Sequence, residues 1–433
     1  MSTSNGASRR IAVTGMAINT PLGDTLDRFL DGLLAGRSAI SRWKGIDTSR
    51  IYAKVGADLS DYDVAAKVAG LAGEVPAEVH HRLRKLVSRA PWSTRLSMLL
   101  AVDGYRDAGL FDADVDPTRV AAVVAGHNIN FNYQYENRLQ FADEPDFMDS
   151  MLSLHGLDTD HAGCVSEVLG AQGPIYTVGA ACASANAALR CAVDEIRHHD
   201  VDVALVTGAV LDFSPIELHA MALMGAITFE SFNDTPEQAS RPFDVRREGF
   251  VPAHGGGVLV LEELGAAVRR GARIYAEVLG VDSNSDANHL PQPSEAGQAR
   301  LMARVLRQCG LEPAEIDYLN AHATSTPLGD LTEIRSIERV FGAHARRLKI
   351  NATKSLLGHT CWAAPVVETI AAILQMNAGR LHPSINVDEL DPAIDLDVCA
   401  GRDAVEHPVR TFMKNSFGFG GINSVSILRR WEA

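Results

Sequence analysis

Cys182 is the first residue whose type and setting suggest chemistry. It follows a short β segment and precedes an alanine-rich helix in Thr177-Val-Gly-Ala-Ala-Cys182-Ala-Ser-Ala-Asn. The N-terminus of a helix favours a thiolate, because its dipole and free N–H groups stabilise negative charge. We therefore predict a reactive, partly ionised thiol that a substrate approaches past small neighbours. The alternative is a buried, inert cysteine, which is the commoner state of a single Cys.

Two histidines stand near the ends of predicted strands. His322 lies in Leu-Asn-Ala-His322-Ala-Thr-Ser-Thr-Pro, and His359 lies in Asn-Ala-Thr-Lys354-Ser-Leu-Leu-Gly358-His359-Thr. The carboxyl end of a strand presents side chains to ligands, and imidazole titrates near neutral pH. Gly358 permits a close backbone approach or a positive φ angle. Read alone, His322 is equally well explained by backbone hydrogen bonds, and Lys354 by an ordinary solvated position.

A glycine-rich segment closes the chain's set of unusual motifs. It reads Asn-Ser-Phe417-Gly-Phe419-Gly-Gly421-Ile-Asn423. It lacks the G-x-x-x-x-G-K pattern, so a phosphate loop is not indicated. The glycines suit a strained backbone or a mobile gate with Phe419 as its apolar plug. The alternative is a tight hairpin before the last strand.

Alternating strands and helices must position these residues. Strands are predicted at 11–15, 120–125, 175–178, 203–208, 258–262, 274–281, 316–321, 350–351 and 424–428, and helices at 26–34, 183–197, 299–309 and 364–376. This alternation predicts a mainly parallel, layered α/β fold. The polar stretch 128–173 reads as a long irregular loop, either functional or merely variable.

Composition excludes several classes of protein. The 433 residues carry a formal net charge of −14, which argues against a general nucleic-acid binder. No apolar run is long enough for a membrane span, and the polar first residues do not resemble a secretory signal. The six cysteines form no C-x-x-C pair, so zinc and dithiol-redox sites are not indicated. A cytoplasmic protein is expected.

Together, these motifs resemble the β-ketoacyl-acyl carrier protein synthases of the thiolase superfamily. The order Cys182, His322, His359 is theirs, and the likeness runs from Val13-Thr-Gly-Met to the final glycine-rich segment. The resemblance implies an α/β thiolase fold with duplicated halves in a five-layered αβαβα arrangement. The expected halves are residues 1–265, with the nucleophile, and 266–433, with the histidines.

The resemblance also implies a reaction, the decarboxylative Claisen condensation of fatty acid or polyketide biosynthesis. Cys182 would take an acyl group from a carrier thioester. His322 and His359 would hold the carbonyl of malonyl-acyl carrier protein while CO2 leaves, because hydrogen-bond donors stabilise the developing enolate. Backbone N–H groups of Cys182 and Phe419 would form the oxyanion hole when the carbanion attacks the acyl-cysteine.

Supporting groups follow from the same resemblance. Lys354 would orient the site electrostatically with Glu333 as its partner, and Asn423 would support the glycine-rich segment. No metal or organic cofactor is expected, because the 4′-phosphopantetheine arm arrives on the acyl carrier protein.

Some residues depart from the family pattern. Ala323 stands where glycine is usual, His254 where an acidic residue is usual, and Trp362 where glycine is usual. We expect Trp362 to narrow the acyl pocket; the alternative is core packing away from substrate. These features, with Gly358-His-Thr-Cys-Trp362, are similar to the ketosynthase-like malonyl-carrier-protein decarboxylases of polyketide β-branching cassettes. Those typically carry serine at the nucleophile position, so Cys182 favours condensation.

A non-catalytic partner subunit, similar to a chain-length factor, is a third alternative. Such subunits lose the nucleophile, whereas Cys182 is retained. The family likeness implies a homodimer, with 128–173 as the dimer and acyl-pocket wall. It also implies docking of an acidic carrier protein on a basic helix face that includes Arg82, Lys85 and Arg89.

Overall fold

The computed structural model describes residues 9–432; most of the polar start of the chain, read above as lacking a secretory signal, lies outside them. The strands are β1 (Ile11–Asn19), β2 (Ser41–Arg42), β3 (Val55–Gly56), β4 (Val120–Ala125), β5 (Ile175–Val178), β6 (Val203–Gly208), β7 (Gly256–Glu263), β8 (Ala276–Ser285), β9 (Tyr318–Asn320), β10 (Lys349–Asn351), β11 (Arg380–Leu381), β12 (Val405–Glu406), β13 (Thr411–Gly418) and β14 (Ile422–Arg429).

The helices alternate with these strands. They are α1 (Leu26–Leu34), α2 (Val64–Gly70), α3 (Ala77–Val87), α4 (Trp92–Asp107), α5 (Phe131–Asp143), α6 (Leu152–His155), α7 (Thr159–Leu169), α8 (Ser184–His198), α9 (Pro215–Leu223), α10 (Leu264–Arg269), α11 (Glu295–Cys309), α12 (Pro327–Phe341), α13 (Lys354–Leu357) and α14 (Ala364–Ala378). Within the described part of the chain, no helix is long and apolar enough to cross a membrane.

The main sheet contains the same five-strand arrangement twice. Its order is β5-β4-β6-β7-β1 followed by β8-β14-β13-β9-β10. In each half the two pairs nearest the edge are parallel and the next two are antiparallel. The halves meet where Ile11, Ala12 and Val13 pair with the start of β8. The expected duplication of the fold is therefore confirmed.

Helices form the layers around these strands. α8 contacts β4 and β6 of its own half and β8 and β14 of the other, while α14 contacts β13 and also β6 and β7. α14 is buried on nearly all sides, as expected for a helix that packs between the two halves of the main sheet. α4 and α7 cover one outer face, and α11 covers the other together with α12. The expected five layers are confirmed.

The stretch 128–173 differs from its prediction as an irregular loop. It contains α5, α6 and α7. In α5 only Asn137 is buried, so the helix has no apolar periodicity that a sequence pattern could reveal. α7 ends at Gly170, whose φ of 75° is the left-handed conformation that glycine adopts at helix ends. The outward-facing α5 was thus mistaken for a loop, and α7 was missed although it buries Ala162, Val165 and Val168.

Candidate active site

Cys182 lies in a strained turn between β5 and α8. Ala181 before it has a φ of 47°, a left-handed conformation that is uncommon for a residue with a side chain. Ser184 closes the turn: its Oγ accepts the Ala180 N–H at 2.8 Å and donates to the Ala181 carbonyl at 2.6 Å. Small residues are needed here because the turn is packed inside the molecule. The thiol is consequently buried but reaches a cavity.

The resting thiol is not partly ionised, and that prediction is wrong. Burial raises the pKa of Cys182 to about 11, although the Lys354 charge and two backbone N–H groups act in the opposite direction. Loss of hydration outweighs the helix N-terminus because a buried thiolate has almost no water around it. The proton must therefore leave as the thiol reacts.

Two backbone N–H groups converge on the Cys182 sulfur. They belong to Cys182 itself and to Phe419, which follows β13. Gly418 allows this approach, because a Cβ there would lie only 3.0 Å from the Ala180 carbonyl oxygen. The hairpin then turns through Gly420, at a φ of 80°, and a second left-handed glycine. This is the arrangement that an oxyanion hole requires.

His322 and His359 face the same cavity as the thiol. Their ring centroids are 5.5 Å apart and their planes lie at 83°. The Cys361 N–H donates to His359 Nδ1 at 3.1 Å, so the neutral ring carries its proton on Nε2. Nε2 is buried and has no hydrogen-bond partner among residues 9–432. The Nε2–H group of the His359 ring is therefore available to a ligand.

Both imidazoles are uncharged at neutral pH. Burial lowers the pKa of His322 and of His359 well below the ordinary value, and the positive charges of Lys354 and Lys414 act in the same direction. Gly358, before His359, has a φ of 80°, and a Cβ there would meet the Val251 carbonyl oxygen at 2.8 Å. The predicted need for glycine at this position is confirmed.

Lys354 pairs with a residue other than the expected one. Its Nζ lies 2.5 Å from Oε1 of Glu368, on the central helix α14. Glu333 instead accepts the N–H groups of His322 at 2.9 Å and Ala323 at 2.8 Å, and the Asn415 side chain at 2.9 Å. The expected Lys354–Glu333 pair is therefore wrong, because Glu333 is occupied in holding the backbone that carries His322.

Lys414 and Glu368 were missed by the sequence analysis. Lys414 is fully buried in β13, and its Nζ lies 2.7 Å from Glu368 Oε2. It also donates to the Asn415 carbonyl and, at 3.2 Å, to Ser416 Oγ. The available signal was a charged residue inside each of two otherwise uncharged, buried segments, β13 and α14.

A cavity of about 420 Å³ connects these groups. Cys182, His322, His359 and Phe419 all line it. Asn423 lines the cavity as well, and its side-chain amide donates to Asn284 Oδ1 and to Asp286 Oδ1. Phe419 is 38% exposed, which places it at the rim.

Aromatic rings that the sequence analysis did not select form part of the wall. Phe250 lies 5.2 Å from His359 and 6.4 Å from Phe419 between ring centroids, and Phe417 stands edge-on to His322 at 5.9 Å. Apolar rings around neutral imidazoles exclude water and strengthen their hydrogen bonds to a ligand.

Trp362 packs in the same buried apolar cluster as Cys182 and Ile129. Its ring stacks on His127 with centroids 4.2 Å apart, and it is 8% exposed. The ring therefore lies in the packing that surrounds the nucleophile, but it is not among the residues that line the cavity. Its effect on acyl chain length stays a prediction.

The three basic residues of the predicted docking face differ in exposure. Lys85 in α3 and Arg89 just after it are exposed. Arg82 is half-buried, with an ion pair of 2.6 Å to Glu78 and a hydrogen bond of 3.3 Å to the Val168 carbonyl of α7. Arg82 is therefore less available than Lys85 and Arg89, because it connects α3 to α7; its part in docking stays a prediction.

The fold and this cavity define a condensing enzyme of the thiolase type. Residues 8–267 match the family described as "Beta-ketoacyl synthase, N-terminal domain" and residues 275–388 match "Beta-ketoacyl synthase, C-terminal domain". The chain belongs to the β-ketoacyl synthase family and is an enzyme of that class.

Individual relatives cover almost the whole chain. The "Polyketide biosynthesis malonyl-ACP decarboxylase PksF" of Bacillus subtilis is 30% identical over 98% of this chain and 97% of its own. The "3-oxoacyl-[acyl-carrier-protein] synthase 2" of Coxiella burnetii is 32% identical over 98% and 99%. Among solved structures, the ishigamide ketosynthase/chain length factor has a TM-score of 0.86 and 31% identity, over 98% of this chain and 100% of that one.

A further solved structure includes a carrier protein. It is AntDE:AntF, described as a type II polyketide synthase acyl-carrier protein in complex with its ketosynthase bound to the hexaketide. Its TM-score is 0.86 at 26% identity, over 98% of this chain and 100% of that chain.

Proposed function

We propose that this enzyme joins a malonyl unit, carried by an acyl carrier protein, to an acyl group held on Cys182. The observation that carries the proposal is the convergence of three groups on one cavity: the thiol with two N–H groups directed at its sulfur, and the two neutral imidazoles. The product is a β-ketoacyl-carrier protein and CO2.

Acyl transfer comes first. The Cys182 sulfur attacks the thioester carbonyl of the acyl donor, and the N–H groups of Cys182 and Phe419 bind the oxygen as it becomes negative. The carrier thiolate leaves and takes up the proton that the cysteine loses. Because the pKa of Cys182 is raised to about 11, the proton is lost during the attack rather than before it.

Carbon–carbon bond formation follows. The thioester carbonyl of malonyl-carrier protein accepts N–H groups from His322 and His359, and the carboxylate leaves as CO2. The electron pair of the broken bond forms an enolate, whose negative oxygen these two donors stabilise. The enolate carbon attacks the acyl-Cys182 carbonyl, the thiolate is expelled, and a proton from water restores the neutral thiol. Lys354, held by Glu368, keeps positive charge near this step.

The proposal includes the partner and the group that it carries. The acyl carrier protein supplies its 4′-phosphopantetheine arm, for which Thr324 and Thr326 offer hydroxyl groups along the cavity, and no metal or other cofactor is needed. Exposed Lys85 and Arg89 offer a basic contact to an acidic carrier on a protein of net charge −14. The reaction would take place in the cytoplasm.

We also propose a homodimer. β5 is the last strand in the sheet order, so one edge of its backbone is unpaired in the single chain. Ile175 on that strand is 40% exposed, and Phe147 before it is 75% exposed. An unpaired strand edge and exposed apolar side chains both favour association with a second copy.

Decarboxylation without condensation is the second candidate. It is favoured by the similarity to PksF and by Trp362, which fills space in the apolar cluster around Cys182. An enzyme with little room for an acyl chain would convert malonyl- to acetyl-carrier protein and stop. The same two histidines would perform this reaction.

Intact mass spectrometry separates the two candidates. The enzyme is incubated with acyl-carrier protein, then with malonyl-carrier protein, and both proteins are weighed; Cys182→Ala is the matched control. An acyl adduct on the parent alone, followed by a lengthened product, supports condensation. Acetyl-carrier protein without any adduct or longer product supports the decarboxylase and rejects our first proposal.

A further inference from the structure

Lys414 is a buried ammonium group that the reaction described above does not use. It lies in β13, between strands of the second half, and its side chain has no exposed surface. Its Nζ contacts Glu368 Oε2 at 2.7 Å, while Lys354 contacts the other oxygen of the same carboxylate at 2.5 Å. Burying a charge is costly, so a side chain kept in this state needs a reason beyond packing.

Lys414 balances the negative charge of a second buried carboxylate. Glu368 and Glu333 are two buried carboxylates of the second half. Burial raises the pKa of Glu333, whereas the three N–H groups that it accepts and the charge of Lys414 act in the opposite direction and favour its ionised form. With Lys354 as the only cation, the two carboxylates and Lys354 would together carry one net negative charge. Lys414 brings the four residues to zero, and the attraction between Glu333 and Lys414 is mutual.

The sign of that charge matters to His322 and His359. A net negative charge behind them would attract protons to the rings and would oppose a negative enolate in front of them. Lys354 and Lys414 both act to keep the two imidazoles uncharged. Lys414 is not among the residues that line the cavity, so it acts on the rings through its charge and not by contact with a substrate.

We propose that Lys414 is a positioning residue for decarboxylation: by neutralising the second buried carboxylate of this group, it helps burial and Lys354 to keep both rings as neutral donors to the enolate. The proposal rests on the proposed function for its catalytic part. Its electrostatic part concerns only the resting enzyme.

The pH dependence follows from the groups that face Lys414. These are Glu368 on α14, Lys354 on α13, Glu333 on α12 and the two histidines. Burial lowers the pKa of Lys414 to about 8. The ammonium is therefore charged at neutral pH and loses its charge as the pH rises through about 8. Decarboxylation should fall over the same interval.

Lys414→Met tests the catalytic part, since methionine has a similar unbranched shape and no charge. Release of CO2 from malonyl-carrier protein is measured from pH 6 to 10. We expect the variant to be slower at pH 7 by about tenfold, the order expected when one charge near a reacting group is removed. It should also lack the fall near pH 8. Lys349→Met is the matched control, because that lysine pairs with Asp397 outside the site.

Titration of the rings tests the electrostatic part. With ¹⁵N-labelled histidine, the apparent pKa values of His322 and His359 should rise in Lys414→Met and stay unchanged in Lys349→Met. Equal ring pKa values and equal pH–rate profiles in parent and Lys414→Met would overturn the proposal. If the parent decarboxylates no malonyl thioester, the proposed function fails, while this titration still decides the role of Lys414.

If Lys414→Met does not fold, the proposal can still be tested in a protein that keeps Lys414. Glu217, whose pKa burial raises to about 8, is first replaced by Gln so that it does not titrate. The ring signals of His322 and His359 should then shift with a midpoint near pH 8, as Lys414 loses its proton. Signals that stay constant from pH 7 to 9 would overturn the proposal.

Discussion

The two halves of the molecule share one strand topology but carry different chemistry. In the first half, β4 ends at Ala125 and His127 follows two residues later; in the second, the equivalent strand β9 ends at Asn320 and His322 follows at the same distance. His322 lines the cavity, whereas His127 stacks on Trp362. Equivalent positions have thus taken a chemical role in one half and a packing role in the other.

The charges that act on the catalytic residues follow the same division, although the first half also buries charged side chains such as Arg241, Asp244 and Glu262. The strands β4 and β6 of the first half contain no charged residue, while Glu333, Lys354, Glu368 and Lys414 all belong to the second. The first half presents a thiol in a strained turn of small residues. The difference teaches that duplication lets one half handle the nucleophile while the other handles negative charge.

Removing the nucleophile should separate the activities of the two halves completely. Cys182→Ala is expected to abolish elongation and leave malonyl decarboxylation, because His322 and His359 are untouched. Product mass from acyl- and malonyl-carrier protein measures both activities in one experiment. Loss of decarboxylation in a folded variant would mean that the two halves do not act separately.

Removing either histidine should show the opposite pattern. His322→Ala or His359→Ala is expected to slow CO2 release by about 10²–10³, as loss of one oxyanion donor does. His127→Ala is the matched control from the equivalent position, and its CO2 release should stay within a few-fold of the parent. If all three variants release CO2 at the same rate, the assignment of decarboxylation to His322 and His359 is wrong.

Alkylation of Cys182 tests how the first half treats its thiol. Since its pKa is raised to about 11, iodoacetamide should react at pH 7 about a hundredfold more slowly than with a free cysteine, whose pKa is about 8.5. The rate should still be rising at pH 10. Peptide mass spectrometry identifies the labelled site, and a plateau below pH 8 would contradict the raised pKa.

Trp362 is one of the second-half residues in the apolar cluster that contains Cys182. Trp362→Gly should admit longer acyl chains, at a cost of about 3–5 kcal/mol in the free energy of unfolding. Chain-length profiles of acylation and denaturant unfolding measure the two effects. An unchanged profile in a folded variant would place the ring in the core, away from substrate.

The smallest effect concerns carrier docking on the first half. Lys85→Glu with Arg89→Glu should raise KM for carrier-bound substrate several-fold and weaken its salt dependence, because exposed charges steer association. Turnover of a small pantetheine thioester should stay the same. Arg82→Ala, by contrast, should lower Tm and leave the salt dependence unchanged; equal KM values for all variants would remove the basic face from docking.

Much of the fold and of the active site was predictable from the sequence. Apolar patterns gave the bounds of β4, β5, β6 and α1 as observed, and the four motifs brought together Cys182, His322 and His359. α5 was missed because nearly all of its side chains face outward. The pairing of Lys354 with Glu368 depends on how α14 lies against β13, which no local pattern contains. The pKa of Cys182 likewise depends on burial by distant segments.

The helices of the central layer determine how the chain folds. α14 belongs to the second half but covers β6 and β7 of the first, and α8 returns the exchange by covering β8 and β14. A fragment ending after β7 would leave the apolar surface that α14 covers in contact with water. Neither half is then an autonomous folding unit: the chain should unfold in one cooperative transition, and two separately expressed fragments should become native only when mixed.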